Sequence, residues 1–376
     1  MKTKILPPAT LGILGGGQLG RMFTIAAKTM GYKVMVLDPD PQAPAAEFAD
    51  VHLCAPYDDE KALEELSSCA AVTTEFENVN AQAMNALALK THVSPSGDSV
   101  AIAQNRILEK AWIKQAGLNT APYLVIENDQ DLSQDFSHLF PAILKTAKFG
   151  YDGKGQKTIY NQEQLQQAFK EMGSVPCVLE KRLSLHCEIS AIVTRTSDIQ
   201  IECFPVAENQ HKNGILDICI VPARIEQHLQ QQAQQMAKQL ANELNYIGVL
   251  AVEFFVLEDM SLIINEIAPR PHNSGHYTLN ACLADQFQQQ VRAMCHLAPA
   301  KTTLLSPCVM VNILGDSWHD DGSEPQWFIL QEAANAHLHL YGKKEARKGR
   351  KMGHFTVLSD TNEQALEQAQ ALQMTL

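Results

Sequence analysis

The chain has 376 residues, 45% of them hydrophobic and 19% charged, and a net charge of −12. This length predicts two or three compact domains, and this balance excludes fibrous, collagen-like and disordered proteins. The acidic excess repels polyanions and therefore argues against general nucleic-acid binding. The longest uncharged apolar stretch, residues 5–20, contains Pro7, Pro8 and five glycines, so we expect neither a membrane span nor a secretory leader.

The cysteines suit a reducing environment. There are nine, an odd number, they form no Cys-x-x-Cys pair, and several lie in apolar stretches typical of strands. Such a pattern favours reduced, buried thiols over a disulfide or zinc framework. We therefore expect a cytoplasmic location.

The first 100 residues alternate short apolar runs with helical patterns: TLGILGG, a helix over about 19–30, YKVMVLD and AAVTTEFE. This rhythm predicts βαβ units and a parallel sheet, as in Rossmann-like domains. A helix is expected over 100–115, ended by Gly117. Strands near PYLVIE, PAILK, TIY and CVLEK, with a Gln-rich helix among them, then predict an α+β region.

Sheet-like residues over 185–221, a helix over 225–244 and a hairpin over 249–267 follow. The stretch HLAPAKTTLLSP contains two prolines and no regular period, so it is the best candidate linker. The final segment begins with the strand-like CVMVNILG and closes on a helix over 362–374, with Thr361 and Gln364 as a candidate capping box. The predicted domains are residues 1–103, 104–298 with a flexible lobe at about 118–184, and 299–376.

The loop GGGQLG at residues 15–20 follows a strand and opens a helix, and Asp38 ends the next strand. Its backbone N–H groups and the helix N-terminus can hold an anion, as in dinucleotide-binding folds. Three interpretations stay open: a phosphate or substrate loop, a dinucleotide site, and a glycine turn required only for close packing of strand and helix.

A second glycine loop, GYDGKGQ at residues 150–156, follows the strand PAILK. Its three glycines predict a mobile flap with many N–H donors, and Lys145, Lys148 and Lys154 add positive charge. Such a flap can close over a triphosphate and exclude water. The alternative is a flexible hairpin tip with solvated lysines.

The hairpin over 252–267 predicts a metal site. With its turn centred on Asp259 and Met260, Glu253 lies opposite Glu266. Two carboxylates about 5 Å apart repel by roughly 3 kcal/mol at an effective dielectric of about 20, and their neighbours are apolar. A divalent cation would neutralise them, and oxygen ligands favour Mg²⁺ or Mn²⁺. Protonation of one carboxyl group, or a register shifted by one residue, is the alternative.

The segment APRPHNSGH, residues 268–276, is rich in polar donors. Arg270 can hold a small planar anion bidentately beside the metal. His272 and His276 could bind a metal only in a helix, which the nearby proline and glycine disfavour, so hydrogen-bonded structural roles are the main alternative.

The segment YGKKEARKGRKMGH, residues 341–354, carries six basic residues against one acidic residue. In an acidic protein this cluster indicates a focused anion site, placed to receive a phosphate other than that of a nucleotide. A solvated basic turn is the alternative.

These motifs together resemble the N5-carboxyaminoimidazole ribonucleotide synthetase family of ATP-grasp enzymes in purine biosynthesis. GGGQLGRM, TEFENV, GYDGKGQ, VEFF with NEIAPRPHNSGH, and the basic segment occur in the family's order over nearly the whole chain. The resemblance implies a Rossmann-like preATP-grasp domain, a two-lobed ATP-grasp domain and a small C-terminal domain. It also implies a ligase: ATP phosphorylates bicarbonate to carboxyphosphate, and the amine of 5-aminoimidazole ribonucleotide captures the carboxyl group, which leaves ADP and phosphate.

The resemblance implies site residues position by position. The ATP contacts would be Arg106, Lys145, Gly150, Tyr151, Asp152, Gly153, Lys154, Gly155, Gln156, Glu180, Lys181, Arg182, Leu183, Glu188, His211, Asn265 and Glu266. The metal ligands would be Glu253 and Glu266. The ribonucleotide site would use Glu75, Lys343 and Arg350 with Gly17, Gln18 and Leu19 nearby, and the catalytic residues would be Tyr151, Asp152 and Arg270. Many ATP-grasp enzymes carry an asparagine ligand two residues after the second glutamate, but Ala268 stands there in this chain.

The expected cofactors and partners are ATP, Mg²⁺ or Mn²⁺, bicarbonate and the ribonucleotide, with no nucleic acid or membrane. The resemblance favours a homodimer and leaves open a transient hand-off of the product to the mutase of the next step. Three other functions are weighed: a formate-dependent glycinamide ribonucleotide transformylase of the same fold, a nicotinamide-dependent oxidoreductase built on the first glycine loop, and a catalytically silent nucleotide-sensing protein. The silent protein is disfavoured because every expected metal and flap residue is present. The oxidoreductase leaves the second glycine loop and the Glu253/Glu266 pair unexplained.

Overall fold

The structure is a computed structural model that describes residues 2–150, 155–319 and 321–376. The predicted flap residues Tyr151, Asp152, Gly153 and Lys154 lie outside the described residues. Within the described ranges, no helix is both long and apolar enough to cross a membrane.

The N-terminal part is a parallel five-stranded sheet with helices packed on it. Its elements are β1 (Thr10–Leu14), α1 (Gln18–Thr29), β2 (Lys33–Leu37), β3 (Val51–Leu53), α2 (Glu60–Leu66), β4 (Ala71–Thr74), α3 (Ala81–Ala88) and β5 (His92–Val93). The strand order is β3-β2-β1-β4-β5, and every pair is parallel. The βαβ rhythm of the sequence therefore gives the predicted parallel sheet.

The helix predicted over 100–115 is wrong as a single element, because two helices occupy this region: α4 (Gly97–Ala103) and α5 (Arg106–Gln115). The break has a local cause. Asn105 adopts an extended conformation, and its side chain accepts a hydrogen bond from the N–H of Ile107, which caps α5. The break lets α5 change direction and lie against the strand that carries Glu266.

A separate antiparallel sheet forms the small lobe. Its elements are β6 (Tyr123–Ile126), β7 (Ala142–Thr146), β8 (Gln156–Ile159), α6 (Gln162–Glu171) and β9 (Cys177–Lys181). The strand order is β6-β9-β7-β8. The apolar face of α6 packs on this sheet through Leu165, Ala168 and Phe169, all fully or almost fully buried.

The rest of the chain builds one nine-stranded sheet. Its first elements are β10 (Leu185–Arg195), β11 (Ile201–Cys203), β12 (Ala207–Lys212), β13 (Ile215–Val221), α7 (Gln227–Glu243), β14 (Gly248–Leu257) and β15 (Leu262–Ala268). Then follow α8 (Thr278–Ala281), α9 (Gln286–Met294), β16 (Cys308–Leu314), α10 (Phe328–Glu332), β17 (Ala336–Leu340), β18 (Lys351–Leu358) and α11 (Asn362–Gln373). The order is β15-β14-β10-β12-β13-β16-β18-β17, with β11 paired to β10.

The C-terminal segment is joined to the central part through this sheet, because β16 pairs antiparallel with β13. Half of the predicted capping box is present: the Thr361 hydroxyl accepts the N–H of Gln364 at 3.3 Å, while the Gln364 side chain contacts Ser359. The predicted class, α/β followed by α+β, is confirmed. The arrangement brings the first loop of the parallel sheet, the small lobe and the hairpin β14–β15 around one space.

Candidate active site

One large cavity of about 1510 Å³ lies where the three sheets meet. Twenty of the predicted site residues line it: Gly17, Gln18, Leu19, Glu75, Arg106, Lys145, Gly150, Gln156, Glu180, Lys181, Arg182, Leu183, Glu188, His211, Glu253, Asn265, Glu266, Arg270, Lys343 and Arg350. Gly155 is described but lies outside the lining, where its carbonyl accepts the N–H of Thr146 at 2.9 Å. A single space therefore collects residues that are up to 333 positions apart in sequence, from Gly17 to Arg350.

The hairpin β14–β15 places the two predicted metal carboxylates side by side. Glu253 pairs directly with Glu266, which confirms the predicted register at this point. The register shifts by one residue on the turn side of that pair, so that Phe254 pairs with Ile264 and Asn265 is the extra residue of a β-bulge. The bulge lets Asn265 and Glu266, although adjacent, both line the cavity.

The surroundings shift the pKa values of the two carboxyl groups in opposite directions. Burial, and then the charge of Glu266, raise the pKa of Glu253. Burial also disfavours ionisation of Glu266, but Arg106 lies with its Nη1 2.7 Å from Glu266 Oε2 and lowers the pKa of Glu266. The two shifts therefore favour a pair that carries one proton, held by Glu253.

The donor set at this pair fits a hard divalent cation. Glu253, Glu266 and Asn265 line the same cavity, and Asn265 Oδ1 is buried with no hydrogen-bond partner among the described residues. Carboxylate and amide oxygens are the ligands that Mg²⁺ prefers. No group of three or more histidine, cysteine, aspartate or glutamate side chains that could hold a metal occurs in the described part of the chain.

Two buried lysines hold Glu180 at the side of the cavity formed by the small lobe. Lys145 Nζ lies 2.9 Å from Glu180 Oε2, and Lys110 Nζ lies 3.0 Å from Glu180 Oε1. Burial disfavours ionisation of Glu180, but the two ammonium groups outweigh it and lower the pKa of this carboxyl group. Lys110 was not predicted as a site residue. Its only signal in the sequence is its spacing, four residues after Arg106 and three before Ile113, which places it on the buried face of α5.

On the opposite wall, Glu188 and His211 form a pair across β10 and β12, with His211 Nδ1 3.3 Å from Glu188 Oε2. Burial lowers the pKa of His211, but Glu188 outweighs this effect and raises it. The charged form of this histidine is therefore stabilised by its carboxylate partner.

Arg270 lies in the cavity, but its guanidinium is held by a carboxylate of the N-terminal part. Its Nε donates to Glu77 Oε2 at 2.8 Å and its Nη2 also contacts Glu77. A bidentate anion would have to replace this contact, so the predicted anion-binding role of Arg270 stays a prediction. Glu77 was not predicted as a site residue, although it lies within the motif TEFENV.

The two histidines after Arg270 differ. His272 Nε2 lies 3.3 Å from Glu253 Oε1, and its Nδ1 lies 2.9 Å from the hydroxyl of Ser274, so His272 contacts one carboxylate of the Glu253/Glu266 pair. His276 is fully buried and contacts the Gln286 side chain at 3.2 Å. The structural interpretation therefore holds for His276, while His272 belongs to the site.

The first glycine loop is occupied by the protein's own carboxylates. Glu75 accepts the N–H groups of Gly17 and Gly20, each at 2.5 Å, and Asp38 accepts the N–H of Gly16 at 2.7 Å. A Cβ at Gly17 would lie 2.5 Å from Glu75 Oε1, so glycine is required for this approach. The donors that a dinucleotide phosphate would need are already used, which argues against the oxidoreductase.

The basic segment reaches the same cavity from the C-terminal part. Lys343 Nζ lies 2.6 Å from Gln18 Oε1 and 2.7 Å from the carbonyl of Lys351. Arg350 follows Gly349, whose φ of +74° provides the predicted bend. The chain therefore brings basic side chains to the mouth of the first glycine loop.

Comparisons with known proteins agree with this geometry. The chain matches three family descriptions: the ribonucleotide synthetase preATP-grasp domain over residues 8–104, the ATP-grasp domain over 111–287, and the phosphoribosylaminoimidazole carboxylase C-terminal domain over 308–368. It is 44% identical over 369 residues to N5-carboxyaminoimidazole ribonucleotide synthase of Bacillus subtilis, covering 98% of this chain and 96% of that protein. The chain belongs to the N5-carboxyaminoimidazole ribonucleotide synthase family.

Solved structures of this synthase family superpose on the whole chain. An ADP complex of N5-carboxyaminoimidazole ribonucleotide synthetase has a TM-score of 0.94 at 45% identity, covering 100% of this chain and 98% of that one. The Aspergillus clavatus enzyme in complex with ADP and 5-aminoimidazole ribonucleotide has a TM-score of 0.87 at 29% identity, with 98% of each chain covered. The predicted ATP-grasp fold is therefore confirmed, and the chain is an ATP-dependent ligase.

Proposed function

We propose that this chain uses ATP to carboxylate the exocyclic amine of 5-aminoimidazole ribonucleotide with bicarbonate, forming a carbon–nitrogen bond and releasing ADP and phosphate. The observation that carries the proposal is the single cavity. It is lined by the Lys145/Glu180 pair and the Glu253/Glu266 pair at one end, and by Lys343 beside the first glycine loop at the other. Two ligands can therefore meet in one space.

The nucleotide end is proposed to hold ATP. Lys145 supplies charge for the phosphates, and residues 181–183, directly after Glu180, line the cavity where the small lobe meets the large sheet. Glu188 lines the same cavity and is placed to accept hydrogen bonds from hydroxyl groups of a ribose. The relatives solved with ADP and with ATP support this assignment.

Glu253, Glu266 and Asn265 are proposed to hold Mg²⁺, with Mn²⁺ as a substitute. When bound, such a cation offsets the charge of the transferring phosphoryl group. Arg106 already contacts Glu266, and His272 contacts Glu253, so both carboxylates are oriented before any ligand arrives.

The other end is proposed to bind the ribonucleotide, with Lys343 and Arg350 at its phosphate and Glu75 at its ribose. Gln18 joins the Lys343 ammonium to the N-terminal part, so the basic segment is held at the first glycine loop. The Aspergillus clavatus relative solved with ADP and 5-aminoimidazole ribonucleotide supports a site for both molecules.

Bicarbonate is a poor electrophile, so its oxygen must first accept the terminal phosphoryl group of ATP to give carboxyphosphate and ADP. The amine then takes the carboxyl group, phosphate leaves, and a base accepts the amine proton. Exclusion of water protects the reactive intermediate. The roles predicted for Tyr151 and Asp152, orientation or deprotonation of the amine, lie outside the described residues and stay predictions.

The remaining expectations are part of this proposal. They are domain boundaries at residues 103 and 298, a flexible lobe at about 118–184, a homodimer, a transient hand-off of the product to the next mutase, and a cytoplasmic location. The separate four-stranded sheet, β6–β9, supports a lobe that moves as a unit.

The test is acceptor-dependent release of ADP by the purified chain with Mg²⁺ and bicarbonate. Three reactions are compared: 5-aminoimidazole ribonucleotide, glycinamide ribonucleotide with formate, and no acceptor. The proposal expects fast ADP release only with 5-aminoimidazole ribonucleotide. Faster release with glycinamide ribonucleotide and formate would replace it with the transformylase.

A further inference from the structure

Helix α5 contacts the metal strand β15 at two points. Arg106, in its first turn, binds the side chain of Glu266, and Glu109, three residues later, accepts the backbone N–H of Ile267 at 2.7 Å. Glu109 is 1% exposed. Burial of a carboxyl group to this degree is energetically costly unless hydrogen bonds compensate for the lost solvation.

Strand β15 lies at the edge of the nine-stranded sheet. The N–H groups on its outer side have no neighbouring strand to pair with. A buried backbone donor without a hydrogen-bond partner destabilises the fold. Two such donors are satisfied by the segment that follows α4: Ile264 donates to the carbonyl of Asn119 at 2.9 Å, and Ile267 donates to Glu109.

The β-bulge makes the second contact important for the site. At Asn265 the register of β14 and β15 shifts by one residue, so regular pairing does not by itself set the direction of Glu266. The Ile267 N–H belongs to the peptide unit that follows Glu266, so a hydrogen bond there fixes the backbone from which the carboxylate extends. Two contacts in turn hold helix α5 in place. One is the ion pair between Lys110 and Glu180, and the other is the hydrogen bond that the N–H of Arg106 donates to the carbonyl of Ala147.

We propose that Glu109 is a positioning residue of the metal site, which holds the Glu266 backbone at the bulge by accepting the Ile267 N–H. The proposal rests on the proposed metal role of Glu253 and Glu266. It assigns the function of Glu109 to the reach and acceptor capacity of its side chain, and not to its charge.

Two conservative variants separate reach from charge. Glu109→Gln keeps the length and an acceptor oxygen but removes the charge, so it should bind Mn²⁺ like the wild type. Glu109→Asp keeps the charge but is one methylene shorter, so it should weaken Mn²⁺ binding by about tenfold or more, the range typical for partners of metal ligands. Its kcat should fall by a similar factor while the KM for ATP changes less.

The readout is free Mn²⁺ measured by electron paramagnetic resonance during titration of the full-length protein, with thermal unfolding recorded in parallel. Glu208→Asp is the matched control, because Glu208 is also buried and accepts a backbone N–H, that of Arg224 at 3.2 Å, in the same sheet but outside the cavity lining. The control should lose stability and keep its Mn²⁺ affinity.

Wild-type Mn²⁺ affinity in Glu109→Asp would overturn the proposal, as would a loss in Glu109→Gln equal to that in Glu109→Asp. If Glu109→Asp does not fold, Glu109→Gln decides alone: unchanged affinity supports the proposal, and a tenfold loss overturns it. If the wild type itself binds no Mn²⁺, the metal site of the proposed function fails, and the positioning role fails with it.

Discussion

Replacement of Glu253 by glutamine tests the metal pair, because glutamine matches glutamate in shape and removes one charge. Glu253 lies directly opposite Glu266, and directly opposite residues in an antiparallel sheet have Cβ atoms about 5 Å apart. Two full charges at that distance repel by roughly 3 kcal/mol at an effective dielectric of about 20. This figure is the charge repulsion that the substitution can relieve without metal.

The wild type avoids much of this repulsion by protonation, because burial and Glu266 raise the pKa of Glu253. A carboxyl group whose pKa is raised on folding contributes stability below its unfolded pKa of about 4.3, and this contribution is lost as the pH rises through the folded pKa. Without metal, Glu253→Gln should therefore match the wild type near pH 4. As the pH rises from there through neutral, it should become more stable than the wild type, by roughly 3 kcal/mol.

Addition of Mg²⁺ should offset this advantage of the variant. At a concentration 100 times the dissociation constant, a ligand of the folded state adds about 2.7 kcal/mol of stability. The wild type should gain this and Glu253→Gln should not, and the variant should lose Mg²⁺-dependent ADP release.

Urea unfolding at two pH values, with and without Mg²⁺, measures both effects. Glu258→Gln is the control, since Glu258 also lines the cavity but lies in the turn between β14 and β15. A Glu253→Gln variant with wild-type turnover and an undiminished Mg²⁺ effect on stability would refute the reasoning.

Two further predictions follow from other parts of the site. Arg350→Ala should raise the KM for the ribonucleotide by about one to two decades and leave the KM for ATP nearly unchanged, because a charge-assisted contact contributes roughly 1.5 to 3 kcal/mol. Arg350→Lys should recover only part of the loss, and a change confined to the KM for ATP would contradict the assignment. Away from the substrates, the rings of His339 and His354 stack with centroids 4.6 Å apart, and burial lowers the pKa of His339 to about 4. A histidine whose pKa is lowered on folding contributes stability above its unfolded pKa of about 6.5, and this contribution is lost as the pH falls towards 4. In His339→Gln, the free energy of unfolding measured in urea should therefore fall less steeply between pH 6 and pH 5, by up to about 1.4 kcal/mol per pH unit. An unchanged pH dependence would contradict a neutral His339.

The sequence predicted the architecture where its patterns were local. The βαβ rhythm gave the parallel sheet, and the hairpin register gave the contact between Glu253 and Glu266. The bulge at Asn265 was not predictable, since a shift of one residue leaves the alternation of apolar residues around it almost unchanged. The continuous helix expected over 100–115 failed because the capping capacity of Asn105 was overlooked.

The partners of the predicted residues were less predictable, because they come from distant parts of the chain. Nothing near Arg270 in the sequence indicates that Glu77 holds it, and nothing near the first glycine loop indicates that Glu75 fills it. Lys110 and Glu109 resemble ordinary surface residues of an amphipathic helix, and only the packing of α5 between two sheets makes them buried. Charge type and spacing predict which residues form a site, whereas tertiary packing decides which of them are already paired.

The central claim, that one cavity joins the chemistry of ATP to the amine of 5-aminoimidazole ribonucleotide, is tested most directly with ¹³C-labelled bicarbonate. Carbon NMR of the full-length protein with Mg²⁺, ATP and the ribonucleotide follows the label while ADP is counted in the same sample. We predict that the label appears as a carbamate carbon attached to the exocyclic nitrogen, with one ADP released for each carboxyl group transferred. ADP formation with all the label remaining in bicarbonate, or equal ADP formation without the ribonucleotide, would contradict the account.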